Sequence, residues 1–564
     1  MPALGHDTLA RLLLESGCQI DQATPLLTGQ PGRQWIGKVL DSGQVDETRF
    51  AKALADLLAL DYLEVAEADV DPALLEVLPS RFAFQHHLLP LTREGNTVRL
   101  ACYDPFNEPA ARIARQLTGA QSIRWVITPR LHLLKMMKQI YGVGGDTFDE
   151  ILRSHLSRFG DNQDEQAAGT DLDASDEEAS VSRFVNQVIR EAIRERATDI
   201  HIEPLESDIR IRYRIDGMLQ EVAVPKQLRV LQSAIIARVK VMARMDIAER
   251  RLPQDGRIGF ASEGFPLDVR VSTIPTVHGE SVSLRLLSRQ DQAFGLSRLN
   301  LFQDQEQLIA KLLFQPNGII LLTGPTGCGK STSLYCFLTE INSVERRIIT
   351  IEEPVEYRLP GVMQIEVRSD IGLTFAQGLR HILRQDPNVI MVGEIRDLET
   401  AEIAVRSAMT GHLVFSTLHT NDAVGGITRL LDMGIEPFLV ASVVRAFMAQ
   451  RLVRSLCNTC KKPHAYDALY LKSLGLDPDD ERYRQANGCE ECRQTGYHGR
   501  LPIFEVCPLT EGLRHLVVER ASGSHLKDAA VKEGLYTLRD DGFRRAAEGW
   551  TSLEEVLRVT HLED

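Results

Sequence analysis

The sequence predicts an α/β protein organised on a parallel sheet, and three observations carry that expectation. Residues 324–331 read Gly-Pro-Thr-Gly-Cys-Gly-Lys-Ser and fill every fixed position of the phosphate-loop pattern G-x-x-x-x-G-K-[ST]. The apolar run 319–323 before it reads as a buried strand, and 332–338 after it reads as the opening of a helix, which is the context the pattern needs. Further apolar runs at 347–351, 389–392 and 413–417 alternate with helical patterns, as a parallel sheet requires.

Each part of the loop has a physical task. Gly324, Gly327 and Gly329 let the backbone curl so that several N–H groups converge on phosphate oxygens, with Pro325, Thr326 and Cys328 in the variable positions of the cradle. Lys330 adds a full charge, Ser331 offers a hydroxyl to Mg²⁺, and Thr332 opens the helix whose positive end faces the same oxygens.

With 564 residues the chain exceeds what one core usually supports, and about three or four domains are expected. Hydrophobic residues at 43% and charged residues at 25% are ordinary globular values, and no apolar run reaches the roughly 20 residues that cross a bilayer. The N-terminus lacks a basic region followed by an apolar core, so a cytoplasmic protein is expected. A net charge of −14 and 6% aromatics argue against a nucleic-acid motor, which needs a basic groove with stacking rings. Of nine cysteines, Cys457, Cys460, Cys489 and Cys492 form two C-x-x-C pairs, which is metal spacing rather than a disulfide framework.

Taken in order, residues 1–143 alternate helical patterns such as 50–58 with short strands such as 97–102 and read as a small α/β domain, in which His86 and His87 are structural. Residues 144–180 are rich in Asp and Glu and read as a flexible acidic linker. A domain over 181–298 opens on a helix whose Phe184, Val185, Val188, Ile189, Ala192 and Ile193 share one face. The alternating run 209–215 is a strand with Arg210, Arg212 and Arg214 on one face. Those guanidiniums are read either as a solvated face or as anion contacts, with Arg257, Arg270 and Arg285 as further candidates for the second role.

In the core domain over 299–564, Glu352, Glu353 and Glu356 follow the strand at 347–351, and one of them is expected to orient an attacking water. Glu394 stands beyond the apolar run 389–392 and can hold Mg²⁺ through water. His412 and His419 bracket the strand at 413–417 and are expected to contact nucleotide.

From about residue 181 onward the chain resembles the secretion and traffic ATPases that power type II secretion and type IV pilus assembly. The resemblance rests on ordered motifs: the phosphate loop, 349–356 (Ile-Thr-Ile-Glu-Glu-Pro-Val-Glu), 383–397 ending Gly-Glu-Ile-Arg-Asp, and 410–421 (Thr-Gly-His-Leu-Val-Phe-Ser-Thr-Leu-His-Thr-Asn). It implies a RecA-like phosphate-loop core, ATP and Mg²⁺ as cofactors, a homohexamer, and a 181–298 domain that closes over nucleotide and supplies Arg212 and Arg214. Glu-Glu-Pro stands here where Glu-Asp-Pro is commoner, which makes Glu352 the preferred water-orienting residue. The four cysteines match the family's zinc-bearing insertion, here 453–502, whose presence argues against a pilus-retraction role. The N-terminal region resembles the domain that docks secretion members on an inner-membrane platform protein, with an acidic phospholipid surface as a further contact. Residues 35–43 depart from the cyclic di-GMP-binding repeat of some relatives, since no arginine stands immediately before Ile36-Gly37. Type II secretion is preferred over pilus assembly, for a protein held peripherally at the inner membrane.

Overall fold

The structure, a computed structural model, describes residues 6–18, 35–66, 69–143, 145, 171–225, 228–262, 265–288 and 294–560. The chain divides into two compact units, Met1–Ser288 and Arg289–Asp564.

The first unit holds two sheets. Strands β1 (Asp61–Tyr62), β2 (Leu89–Glu94), β3 (Thr97–Cys102) and β4 (Ser122–Ile127) form a sheet in the order β1-β4-β3-β2. Helix Glu47–Leu58 packs on it because Phe50, Ala51, Leu54 and Ala55 fall on one face. Asp46 caps that helix by accepting from the Arg49 N–H at 2.8 Å. The second sheet has six strands, β5 (Asp199–Pro204), β6 (Ile209–Ile215), β7 (Met218–Val222), β8 (Gln254–Ser262), β9 (Phe265–Thr276) and β10 (Gly279–Ser288), in the order β7-β6-β5-β10-β9-β8. Its apolar face packs on helix Asp171–Arg194, and Tyr213 Oη donates to the Val188 carbonyl at 2.9 Å.

That helix begins at Asp171, inside the stretch expected to be a linker. Residues 144 and 146–170 of the expected linker lie outside the described residues.

The second unit is built on a seven-stranded sheet of β11 (Gly318–Thr323), β12 (Ile348–Glu352), β13 (Met363–Glu366), β14 (Val389–Val392), β15 (Leu413–Leu418), β16 (Val444–Leu456) and β19 (Tyr497–Pro508), in the order β13-β12-β14-β15-β11-β16-β19. Only the β16–β19 pair is antiparallel. All six residues of β11 are buried, because helices cover both faces of a parallel sheet. The core begins before the expected boundary at 298/299. Leu296 and Leu299, in the short helix Leu296–Leu299, are buried among Tyr335, Phe337 and Ile341.

The insertion is entered after Leu456 and left at Tyr497, within the expected span 453–502, and carries a small hairpin of β17 (Lys462–Pro463) and β18 (Arg484–Gln485). Its Leu471 and Tyr483 pack with Phe543, Ala546, Leu553 and Val556 of the C-terminal helices, so it shares their core rather than owning one.

Candidate nucleotide site and metal centre

The phosphate loop leaves the C-terminal end of β11, an interior strand of the sheet between β15 and β16. Helix Lys330–Ile341 follows it directly. Gly324 has φ +145°, and a Cβ there would stand 2.6 Å from the Gln450 carbonyl oxygen and 2.7 Å from Cys328 Sγ. Gly329 has φ +91°, and its Cβ would meet Gln450 Nε2 at 2.8 Å. Both positions therefore require glycine. Pro325, Thr326 and Gly327 form the exposed rim, Ser331 is exposed, Thr332 is half-buried, and Cys328 is buried against β16. Lys330 Nζ donates to the Gly324 carbonyl at 2.7 Å and the Pro325 carbonyl at 3.0 Å. Burial lowers its pKa below the usual lysine value.

Beside the loop, the ends of β12 and β14 bring acidic residues together, since these strands are parallel neighbours with Ile351 opposite Val392. Glu394 has both oxygens engaged: Oε1 pairs with Arg396, and Oε2 lies 3.2 Å from His419 Nε2. Burial pushes its carboxyl up, but Arg396 and His419 outweigh that and hold it below the ordinary glutamate range. Arg396 also pairs with Glu353 at 3.1 Å, so one guanidinium is shared by the two strand ends.

Glu352, preferred from sequence as the water-orienting residue, is turned inward. It is 4% exposed. Its Oε1 accepts from Thr350 at 2.5 Å and from Gln364 at 3.0 Å, and its Oε2 accepts from Tyr335. Burial raises its pKa, with those three donors partly offsetting the rise. The carboxylate beside Glu394 is Glu353. The reason is the strand itself: Glu352 is the last residue of β12 and its alternation sends it to the face of Tyr335, whereas Glu353 has left the strand.

The two histidines separate. His419 follows the C-terminal end of β15 and reaches Glu394. His412 precedes the strand, where its carbonyl accepts from the Gly318 N–H at 3.1 Å and its Nδ1 lies 2.8 Å from the Ser407 carbonyl oxygen. Six strand residues at about 3.3 Å each put it roughly 20 Å from the loop end of the sheet, so it does not join the site.

Three neighbours of the site escaped the sequence reading: Gln450, Arg451 and Tyr335. Gln450 Oε1 accepts from Ser333 at 2.8 Å, and Arg451 lies behind the loop. The available signal was a Gln-Arg pair interrupting the apolar run of β16.

In the first unit Arg210, Arg212 and Arg214 do share one face of β6. Arg212 pairs with Glu203 at 2.5 Å, Arg210 with Glu203 at 2.9 Å, and Arg214 with Asp199 at 3.8 Å. Strand register aligns Arg214, Asp199, Arg285, Arg270 and Arg257 in one row across β6, β5, β10, β9 and β8. Arg257, Arg270 and Arg285 are thus in line with Arg214, an alignment that depends on pairing and is invisible in the sequence.

The cysteines converge. All four sulfurs lie within 4.8 Å of one another, with Cys457–Cys489 and Cys460–Cys492 at 3.7 Å and Cys489–Cys492 at 3.6 Å. A tetrahedron with bonds of about 2.3 Å has edges of about 3.8 Å, so the set is compatible with zinc. Burial raises the Cys492 thiol, but N–H groups of Cys489 and Gly496 aimed at its sulfur outweigh that and bring it to about 7, whereas burial pushes the Cys460 thiol up to about 12.

A phosphate loop after an interior strand of a mostly parallel sheet, with an acidic cluster at the ends of β12 and β14 on the same edge, defines a nucleotide-hydrolysing phosphate-loop protein. The chain belongs to the type II/IV secretion system protein family, whose model matches residues 174–558, and it is an ATPase of that family. Membership implies ATP and Mg²⁺. An MshEN domain matches residues 58–147. The chain is 49% identical over 394 residues to the type II secretion system protein E of Pseudomonas aeruginosa, covering 70% of this chain and 78% of that one. It is 40% identical over 532 residues to the type IV pilus assembly ATPase PilB of Myxococcus xanthus, covering 93% of each. Among solved structures, the ATPase DotB of Legionella pneumophila aligns with TM-score 0.50 at 20% identity over 71% of this chain and 98% of that one, a likeness of fold.

Proposed function

We propose that this chain hydrolyses ATP to drive assembly of a pseudopilus for type II protein secretion. The observation that carries the pathway is the 49% identity, over 394 residues, to a protein named for type II secretion. Pilus assembly is the second reading, supported by the longer alignment to PilB. In the proposed cycle the loop N–H groups and Lys330 hold the phosphates, and Ser331 and Glu394 hold Mg²⁺, directly and through water. His419 keeps Glu394 oriented. Glu353 is the better placed of the two adjacent glutamates to orient water, and Arg212 and Arg214 are offered as transition-state contacts within a homohexamer. The cysteine cluster holds one structural Zn²⁺. The N-terminal region docks on an inner-membrane platform protein, with an acidic phospholipid surface as a further contact, which keeps a cytoplasmic enzyme at the inner membrane. Among the described residues, no helix is long and apolar enough to cross a membrane.

The test is complementation in two hosts, one lacking its type II secretion ATPase and one lacking its pilus-assembly ATPase. Restored exoprotein secretion without restored piliation is expected. The reverse pattern would replace the pathway with pilus assembly.

A further inference from the structure

Arg451 is a buried cation without a carboxylate. It is 7% exposed, in β16 two residues beyond Ala449, the residue paired with the last residue of β11. Its Nη1 donates to the Gln450 carbonyl at 3.1 Å and its Nη2 to the Asn421 carbonyl at 2.6 Å. Among the described residues it enters no ion pair within 4.0 Å. Beyond those two carbonyls, it lies against the phosphate loop. Its Nη1 stands 3.1 Å from where a Gly324 Cβ would be, and its charge is felt by both Cys328 and Lys330. Lys330 donates to two loop carbonyls, so two cations lie at one loop, and Glu394 is the carboxylate whose charge reaches Lys330.

A buried charge is costly unless an opposite charge compensates it, and like charges in a low-dielectric site repel. Arg545, the other buried arginine among the described residues of this unit, pairs with Asp541 at 3.1 Å. Arg451 differs from it in what it faces. We infer that Arg451 is a positioning residue of the nucleotide site, which braces the first turn of the phosphate loop to the 419–421 segment from behind and whose charge is compensated by the phosphates of a bound nucleotide. This rests on the ATPase reading and adds a cation that lies outside the loop motif. The guanidinium does not touch the phosphates. It acts through the loop it supports and through its field, which is strong where water is excluded.

The sign of the stability change separates this from a merely structural arginine. In Arg451→Gln the buried charge is gone, so the nucleotide-free protein should melt within a degree or two of wild type or above it. The upward shift in Tm on adding Mg²⁺·ATP should shrink. The Kd for a fluorescent ATP analogue should rise about tenfold, the size of one charge-assisted interaction. In turnover KM should rise by a similar factor with kcat within about threefold, because a charge felt in both ground and transition states contributes uniform binding. Arg451→Lys, which keeps the charge, should recover most of the affinity. A nucleotide-free Tm that falls sharply in both variants, with nucleotide affinity within twofold of wild type, would overturn the inference and leave Arg451 as a packing residue. Loss of binding equal in Arg451→Gln and Arg451→Lys would also overturn it, since charge would then not be the cause. If wild type itself bound no nucleotide, the ATPase reading would fail instead, which the wild-type control shows separately.

Discussion

At the residue scale, the phosphate cradle is made mostly of backbone, with Lys330 its one full charge. Lys330→Ala should therefore abolish ATP hydrolysis while leaving Tm within a few degrees of wild type, measured by phosphate release and thermal melting. Glu352 and Glu353 divide a question that adjacency in sequence leaves open. Glu352 is held by Tyr335, Thr350 and Gln364 in the core, whereas Glu353 shares Arg396 with Glu394. Glu353→Gln is expected to cut kcat by about 10² or more if it orients water. Glu352→Gln should act chiefly on stability, by about 1–3 kcal/mol, because a buried hydrogen-bond set is disturbed. A fall in kcat for Glu352→Gln with unchanged Tm, and none for Glu353→Gln, would return the role to Glu352.

At the scale of elements, the end of β16, the thiol insertion and the last helix form one connected piece. Glu555, with its side chain fully buried, accepts from the Arg454 N–H at 3.0 Å and pairs with the side chains of Arg454 at 2.8 Å and Arg558 at 2.7 Å. Burial pushes its carboxyl up, and the two arginines outweigh that and hold it below the ordinary glutamate value. Because its folded pKa is lowered, its stabilisation is fully present above the ordinary glutamate value and is lost as pH falls through the folded value. Melting followed from pH 7 down to pH 3 should show a steeper acid loss in wild type than in Glu555→Gln, which should already be less stable at neutral pH.

The same connection makes a metal prediction. Leu471 and Tyr483 pack on Phe543, Leu553 and Val556, so loosening the cysteine cluster should loosen the C-terminal helices. Elemental analysis should find about one Zn²⁺ per chain. Cys457→Ser should lose it and raise hydrogen exchange over residues 538–560. Metal-free wild type, purified without chelator and of unchanged Tm, would refute the zinc assignment.

At the scale of the whole molecule, the arginine row of the first unit and the phosphate loop of the second are proposed to work in a ring. Arg212→Ala or Arg214→Ala should lower kcat by roughly 10³ to 10⁵, with ATP binding weakened far less, if either is a transition-state contact. A loss under about twofold would leave a solvated face. Mixing an Arg214→Ala chain with a Lys330→Ala chain should recover activity if the contact crosses a subunit boundary. No recovery after confirmed co-assembly would count against that geometry.

Much of this was local enough to be legible in the chain. The apolar runs at 319–323, 389–392 and 413–417 correspond to β11, β14 and β15 within a residue or two at each end, because strands buried on both faces have no polar residues to disguise them. The phosphate loop and each C-x-x-C pair are contiguous motifs. Sequence alone thus determined the α/β class, the loop and the two thiol pairs, whose convergence into one cluster is tertiary. Tertiary structure decided what depends on which strands lie side by side. Parallel pairing of β12 with β14 put Glu353 rather than Glu352 beside Glu394. Strand direction separated His412 from His419, and β16 running beside β11 brought Gln450 and Arg451 behind the loop. A motif records spacing along the chain, whereas these placements follow from pairing between segments tens of residues apart.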